Sequence, residues 1–103
     1  MKLLFLSVIL PHALRCMAAH CEGNVVDISF NNYVTAVPID GSKVLSGTEI
    51  PLEPISSVSI DSDKVNCGLS CDIVEDNGRI HHLTNILAFH TPVFIEFCSC
   101  TWS

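Results

Sequence analysis

The sequence predicts a small, secreted, all-β protein that is cross-linked by disulfides. Three observations lead to this fold class: short segments of alternating apolar and polar residues, an apolar leader that ends in small residues, and six cysteines among 103 residues. Alternation with a period of two indicates strands with one buried face. Several short strands at close spacing are typical of a small sandwich or barrel.

The N-terminal segment has the layout of a secretory signal peptide. It begins with Met1-Lys2, continues with the apolar run 3–10 and reaches the small residues Ala18 and Ala19. The apolar run is shorter than the about 20 residues that span a bilayer. We place cleavage after Ala18 or Ala19, so residues 1–19 form the signal peptide. The mature chain then enters an oxidising compartment, where cysteines form disulfides.

The first half of the mature chain is predicted to contain three strands. In segment 24–30 every second residue is a large apolar one, which indicates a strand with one buried side. Asn31-Asn32 can turn the chain into a second strand over 33–37, which is rich in β-branched residues. Pro38 ends that strand or marks an edge, because proline cannot donate a hydrogen bond to a sheet. A shorter strand is predicted over 43–45.

The second half is predicted to contain three more strands. Segment 57–61 alternates again after a loop that contains two prolines. Segments 71–75 and 79–83 flank Asn77-Gly78, which is the strongest short-range hairpin signal in the sequence. No segment before Leu83 shows helical periodicity, so no helix is predicted in this part of the chain.

Residues 84–103 differ in character from the rest of the chain. They are very apolar, and Glu96 is their only charged residue. They could form a further strand pair around Pro92, or they could be foreign to the domain, as in an extension from altered splicing. An exposed apolar tail would promote association or aggregation. We treat this segment as a C-terminal extension whose structure the sequence leaves open.

The mature chain is strongly acidic. Loss of Lys2 and Arg15 with the leader leaves three basic residues against eleven acidic ones, a net charge of −8 compared with −6 for the full sequence. Negative charge repels phosphate backbones and anionic lipid surfaces, so neither nucleic acid nor membrane is expected as a partner. The acids are expected to keep the protein soluble, although they could also select a basic partner protein.

The mature chain keeps an odd number of cysteines, because Cys16 leaves with the leader. Either one thiol stays free, or two chains join, or part of the chain is atypical. A chain of about 84 residues is marginally stable without a covalent or metal cross-link, so a disulfide is expected to matter. Pairing of Cys71 with Cys98 or Cys100 would attach the tail to the domain.

Enzymatic and metal-binding functions are not favoured. Cys71, His81 and His82 could be imagined as a nucleophile and base, but the chain has no nucleophile-elbow motif and no phosphate-binding glycine loop. With His90, the same residue types could bind zinc, but the cysteine spacings are not the usual Cys-x2-Cys, and disulfides are the more economical explanation. We therefore predict no catalytic residue, no cofactor and no metal ligand.

Three segments carry a family resemblance. Residues 20–28 (HCEGNVVDI) have a cysteine, two further residues, Asn, two aliphatic residues, an acid and Ile, in this order. Residues 67–70 read Cys-Gly-Leu-Ser, and the stretch 34–38 ends in Val-Pro shortly before Gly41. In these features the chain resembles the ToxB-like members of the MAX effector family, which are secreted proteins of plant-pathogenic ascomycete fungi. The resemblance covers about residues 21–83.

The resemblance implies a specific fold. Residues 20–83 would form a MAX-like sandwich of two three-stranded antiparallel sheets, with six strands in all. A disulfide from the first strand to the region before the fifth, here Cys21–Cys67, would link the two ends of the unit. The resemblance leaves the partners of three cysteines open: Cys71, Cys98 and Cys100.

The resemblance also implies a function. The chain would be a secreted, non-enzymatic, toxin-like effector that binds a plant host protein as a monomer, in the host apoplast or cytoplasm, and modulates immunity or cell death. The alternative is a small secreted antimicrobial or enzyme-inhibitor protein, although its acidic charge disfavours attack on membranes. A secreted metal-binding protein is a third hypothesis.

Overall fold

The computed structural model describes residues 21–103, which fold into eight β-strands and one short helix. The predicted signal peptide over 1–19 and Cys16 lie outside the described residues. In chain order the elements are β1 (Val25–Phe30), β2 (Tyr33–Pro38), β3 (Val44–Leu45), β4 (Ile55–Ile60), α1 (Ser62–Asn66), β5 (Leu69–Glu75), β6 (Ile80–Leu83), β7 (Ile86–Val93) and β8 (Ile95–Trp102).

The strands form two four-stranded sheets around one apolar core. Sheet A has the strand order β2-β1-β4-β7, and sheet B has the order β3-β8-β5-β6. Neighbouring strands in both sheets are antiparallel. Buried side chains from both sheets belong to a single cluster, so the sheets pack face to face. The predicted all-β, sandwich-like class with disulfide cross-links is confirmed.

The predicted six strands in two sheets of three are corrected to eight strands in two sheets of four. Residues 25–83 hold six strands, close to the predicted positions, and the segment 84–103 adds β7 to sheet A and β8 to sheet B. β8 lies between β3 and β5 and is the strand with which β3 pairs. The physical reason is burial, because Ile95 and Cys98 of this segment fill core positions.

Alternating burial explains why these segments are strands. In β1 every second side chain, from Val26 to Phe30, is at most 3% exposed. In β4 the buried residues Ile55 and Val58 are three positions apart, and the register with β7 shifts at the same place, between Ile55 and Ser57. The regular alternation of β4 is therefore interrupted where its pairing with β7 is irregular.

A two-residue turn, Asn31-Asn32, joins β1 to β2. The φ angle of Asn31 is 57°, a positive value as required at the first position of a type II′ turn. Its side-chain Oδ1 accepts a hydrogen bond from the Ser56 N–H at 2.8 Å, and its Nδ2 donates to the Pro54 carbonyl at 3.1 Å. Asn31 therefore ties this hairpin to the start of β4.

The hairpin predicted from Asn77-Gly78 is confirmed. β5 and β6 pair in register, with Val74 opposite Ile80. Gly78 has a φ angle of 89°, a conformation that a residue with a Cβ rarely adopts. The Arg79 N–H donates to Oδ1 of Asn77 at 2.9 Å, which closes the turn.

The helix α1 is a difference from the sequence prediction. The Asp61 carboxylate accepts a hydrogen bond from the Asp63 N–H at 3.0 Å and so caps the N-terminus of α1. A helix of five residues is too short to display a period of 3.6 residues in its sequence. α1 brings Cys67, its C-terminal cap, to the start of β5. No helix in residues 21–103 has the length and apolar character needed to cross a membrane.

Candidate interaction surface

The cysteines of the described residues form two disulfides. Cys21, which precedes β1, is bonded to Cys67, which precedes β5. Cys71 of β5 is bonded to Cys100 of β8, its direct cross-strand neighbour, with the two Cα atoms 4.1 Å apart. Among residues 21–103, Cys98 is the free thiol. Disulfide bonds of this kind fit an extracellular protein.

The Cys98 thiol is unreactive in the folded protein. Its side chain is 0% exposed and belongs to the core cluster. Burial, and secondarily the negative charge of Asp72, raises the pKa of the Cys98 thiol from its ordinary value of 9.0 to about 12. A thiol that is buried and protonated at neutral pH is neither an effective nucleophile nor accessible to a second chain.

The histidines of the β5–β6 hairpin pair with acids. Nε2 of His81 lies 2.5 Å from Oε2 of the buried Glu75, and the His81 ring contacts the Phe89 ring edge-on at 5.1 Å between centroids. His82 and Asp72 form a more exposed pair at 3.1 Å. These pairs link strand to strand and sheet to sheet, so their geometry is accounted for by packing.

The cysteine and histidine side chains that were considered as possible zinc ligands do not form a cluster among residues 21–103. Cys71 and Cys100 are bonded to each other, and Cys98 is buried in the core. Within residues 21–103, no group of three His, Cys, Asp or Glu side chains is arranged so that it could hold a metal ion.

Four strands lie at the edges of the two sheets in the described part of the chain. In sheet B, β3 has two residues and β6 has four. In sheet A, β7 is irregular: Val93 is opposite Ile55 and Ala88 is opposite Ser57, so four residues of β7 correspond to one residue of β4 and the register is broken there. β7 also contains Pro92. Short length, bulges and proline all hinder the addition of another strand.

β2 is the regular edge. Its register with β1 is unbroken over six residue pairs, and the Ile39 N–H donates to the Asn24 carbonyl at 2.8 Å just beyond the last pair. Antiparallel pairs alternate between hydrogen-bonded and non-hydrogen-bonded, so this bond fixes the phase. The backbone groups of Val34, Ala36 and Pro38 consequently point away from β1. Pro38 therefore costs no hydrogen bond within sheet A.

The side chains of β2 leave this edge accessible. Tyr33 is 54% exposed and Val34 is 58% exposed, and Ala36 is exposed as well. β2 has no charged residue, and no lysine or arginine occurs in β1, in β2 or in the loop 46–52. We call the outward side of β2 the β2 edge. Among residues 21–103 no partner pairs with this edge, which offers backbone donors and acceptors beside apolar and aromatic side chains.

A cleft of about 280 Å³ opens beside the first residue of β2. Its walls are Tyr33 and the residues 47–52 of the loop between β3 and β4. Leu52, at 75% exposure, and Glu49 also face solvent. The cleft thus combines an aromatic ring, a carboxylate and aliphatic surface next to the β2 edge.

The loop that forms the cleft is held in place. Oγ1 of Thr35, a buried residue of β2, donates to the Glu49 carbonyl at 2.7 Å. Ile50 is 1% exposed and anchors the loop in the core, and its carbonyl accepts from the Gly47 N–H at 2.9 Å. The cleft is therefore a preformed feature, attached directly to the middle of β2.

A second apolar surface crosses the outer face of sheet B. Four residues lie side by side on adjacent strands: Leu45 opposite Phe97, Phe97 opposite Val74, and Val74 opposite Ile80. Val74 is buried without belonging to the core cluster, because its neighbours on the outer face cover it. Lys43 lies over the Phe97 ring, with Nζ 4.4 Å from the ring centroid.

The sequence did not reveal the cleft or the unequal edges. The sequence predicts strand 33–37, with Pro38 as its end or as the mark of an edge. Which way the backbone groups of Ala36 point, however, depends on the pairing of β2 with β1. The loop 46–52 contains no motif, and its position beside Tyr33 results from the non-local contact of Thr35 with Glu49. The local sequence signal for the cleft is Leu52, an apolar residue that lies between Pro51 and Glu53 and is exposed.

No family model matches the chain, and neither a curated protein nor a solved structure does. Function is therefore inferred from the disulfides, the β2 edge and the cleft.

Proposed function

We propose that this chain is a secreted, non-enzymatic effector of the MAX type that binds a plant host protein through the β2 edge. The observation that carries the proposal is the regular, uncharged edge strand β2, whose alternate backbone groups point to solvent. An extended segment of a partner can add to such an edge as a further strand. Main-chain hydrogen bonds then supply affinity, and alternate side chains supply specificity.

The contrast among the edges supports this assignment. β3, β6 and β7 are short, or are interrupted by a bulge and a proline, which are the usual means of preventing edge-to-edge association. In β2 the single proline is the last residue, and the side chains of Tyr33 and Val34 are exposed. Apart from Pro38 at its end, β2 lacks these protections within residues 21–103, and we explain this difference from the other edges by a binding role.

Two features support the MAX resemblance. Cys21 lies just before the first strand and is bonded to Cys67 just before the fifth, which is the position that the resemblance implies for the conserved bridge of the family. Residues 25–83 also contain six strands. We infer that residues 20–83 correspond to the MAX-like unit. The segment 84–103 adds β7 at the edge of sheet A and inserts β8 between β3 and β5, so sheet B is complete only with this segment.

The state of the reactive groups supports binding rather than catalysis. Cys98 is buried with a raised pKa, and the other cysteines of residues 21–103 are in disulfides. His81 is paired with the buried Glu75, and His82 is paired with Asp72. In a non-enzymatic effector the rigid sandwich serves to present a surface.

The proposal is tested by infiltrating purified, oxidised protein into leaves of a panel of plants and measuring cell death or suppression of a defence response. Ala36→Pro removes an N–H that points away from β1, so the variant should fold but should lose the leaf response. The matched variant Ala36→Thr keeps the N–H and a strand-forming side chain, so it should retain the response.

Two outcomes would overturn the proposal. Equal leaf responses to Ala36→Pro and Ala36→Thr, with circular dichroism showing that both are folded, would exclude the β2 edge. Growth arrest of microbes by the unmodified protein, with no response in any leaf, would favour the antimicrobial alternative instead.

A further inference from the structure

We propose that the cleft beside Tyr33 binds a lysine or arginine side chain carried by the segment that pairs with β2. This inference rests on the proposed function and names the chemistry of the partner. The cleft measures about 280 Å³, which is ample for one long side chain. In a protein of this size, a cleft of this volume does not suggest a separate small-molecule substrate.

Position connects the cleft to the β2 edge. Tyr33 is both the first residue of β2 and a wall of the cleft. A segment that adds to β2 must run past Tyr33 at one end, so one of its side chains meets the cleft. Successive side chains of a strand point to opposite faces. One position of the added segment is therefore the position whose side chain enters the cleft.

The lining suits a long cationic side chain. The Glu49 carboxylate offers a negative charge, and the exposed ring of Tyr33 offers a π-face to a cation. Pro51 and Leu52 provide aliphatic surface against which the methylene stem of lysine or arginine can pack. An acidic side chain would be repelled, and a short apolar one would leave the carboxylate without an opposite charge.

The cleft is organised before binding. Oγ1 of Thr48 hydrogen-bonds to the Glu49 carboxylate, and Oγ1 of Thr35 holds the Glu49 main chain. Binding therefore requires little reordering of the loop, and preorganisation of this kind increases affinity. The two bonds are also separable by mutation, because a change of the Glu49 side chain leaves its carbonyl, and hence the bond from Thr35, in place.

Charge favours a basic segment over a second copy of this chain. No lysine or arginine occurs in β1, β2 or the loop 46–52, so the carboxylates of Asp27 and Glu49 are not neutralised by a basic residue of these segments. Two copies pairing through β2 would bring acidic surfaces together, since eleven acids outweigh three basic residues in 21–103. A basic extended partner instead gains attraction at encounter.

The experiment selects short random peptides, displayed on phage, for binding to the oxidised protein and to four variants. Glu49→Gln keeps the size and main-chain bonds of the cleft but removes its charge. Glu53→Gln is the matched control, because Glu53 is an exposed acid of the same loop that does not line the cleft. Ala36→Pro and Ala36→Thr report on the β2 edge in parallel.

We expect selected peptides to share a lysine or arginine at one fixed position. Replacing it by norleucine in a synthetic peptide should weaken binding to the unmodified protein about tenfold, and Glu49→Gln should remove that difference. Glu53→Gln should retain the tenfold preference, and Ala36→Pro should abolish binding of both peptides.

The outcomes separate the two proposals. Peptides that require the Ala36 N–H but have no basic position, or whose preference survives Glu49→Gln, would overturn the cleft proposal and leave the β2 edge intact. If no selected peptide distinguishes Ala36→Pro from Ala36→Thr, the β2 edge fails as a binding site, and the cleft proposal fails with it.

Discussion

The two sheets of this protein differ in what they expose. Sheet B has edges of two and four residues, contains the Cys71–Cys100 bond and surrounds Cys98 with apolar side chains. Sheet A has longer edges and no disulfide between its own strands in residues 21–103, and one of those edges, β2, is regular and uncharged. The comparison indicates that sheet B carries the cross-link within its own strands, while sheet A presents the edge that we propose as the binding surface.

The largest effect should come from sheet B. Replacing Cys71 and Cys100 together by alanine removes a bond that closes 29 residues, and we expect the free energy of unfolding to fall by about 3.5 kcal/mol. Urea unfolding, compared with Cys98→Ala as a variant that breaks no disulfide, measures the loss. A cost no greater than that of Cys98→Ala would mean that sheet B does not depend on its cross-link.

A smaller effect is expected from the turn that presents β2. Asn31→Ala loses the hydrogen bonds to Ser56 and Pro54 and puts alanine, which tolerates a positive φ less well than asparagine, at a φ angle of 57°. We therefore expect a loss of about 2–3 kcal/mol. Asn31→Gly tolerates the positive φ and should lose about 1–2 kcal/mol through the hydrogen bonds alone. Thermal unfolding of both variants checks this, and equal losses would show that backbone strain contributes nothing.

The smallest predicted effect is a pH dependence of the stability that arises from Cys98, a residue of sheet B. Below about pH 9 the Cys98 thiol is protonated in the folded and unfolded chains, and stability is fully present. Above that pH the unfolded chain ionises first, because the folded pKa is about 12, so stability falls as pH rises. We expect a loss of about 1.4 kcal/mol at about pH 10 that is absent in Cys98→Ala. Identical alkaline profiles for the two proteins would contradict the burial of this thiol.

Local sequence signals predicted much of the fold. The alternation in 24–30 and the Asn77-Gly78 pair each concern neighbours in the chain, and both correspond to observed elements. The helix α1 is one turn long and is determined by the cap at Asp61 and by the contacts of its neighbours rather than by periodicity. Its existence therefore had no strong signal in the sequence.

Non-local pairing accounts for what the sequence did not predict. The apolar segment 86–89 shows no alternation, because β7 lies at an edge where neither face is fully buried. The insertion of β8 between β3 and β5 depends on partners far away in the chain. The cleft likewise depends on the bond between Thr35 and the Glu49 carbonyl, which joins separate elements. No local pattern encodes such contacts.

The central position of β8 has a consequence for biogenesis. β3 and β5 are synthesised before Ile95–Trp102, so sheet B lacks its central strand until the last residues of the chain are added. A nascent chain in this condition cannot complete its core and exposes apolar surface that chaperones recognise. Completion of the core by the last strand would suit the secretion that we propose for this chain, because a secreted chain crosses the membrane before it folds.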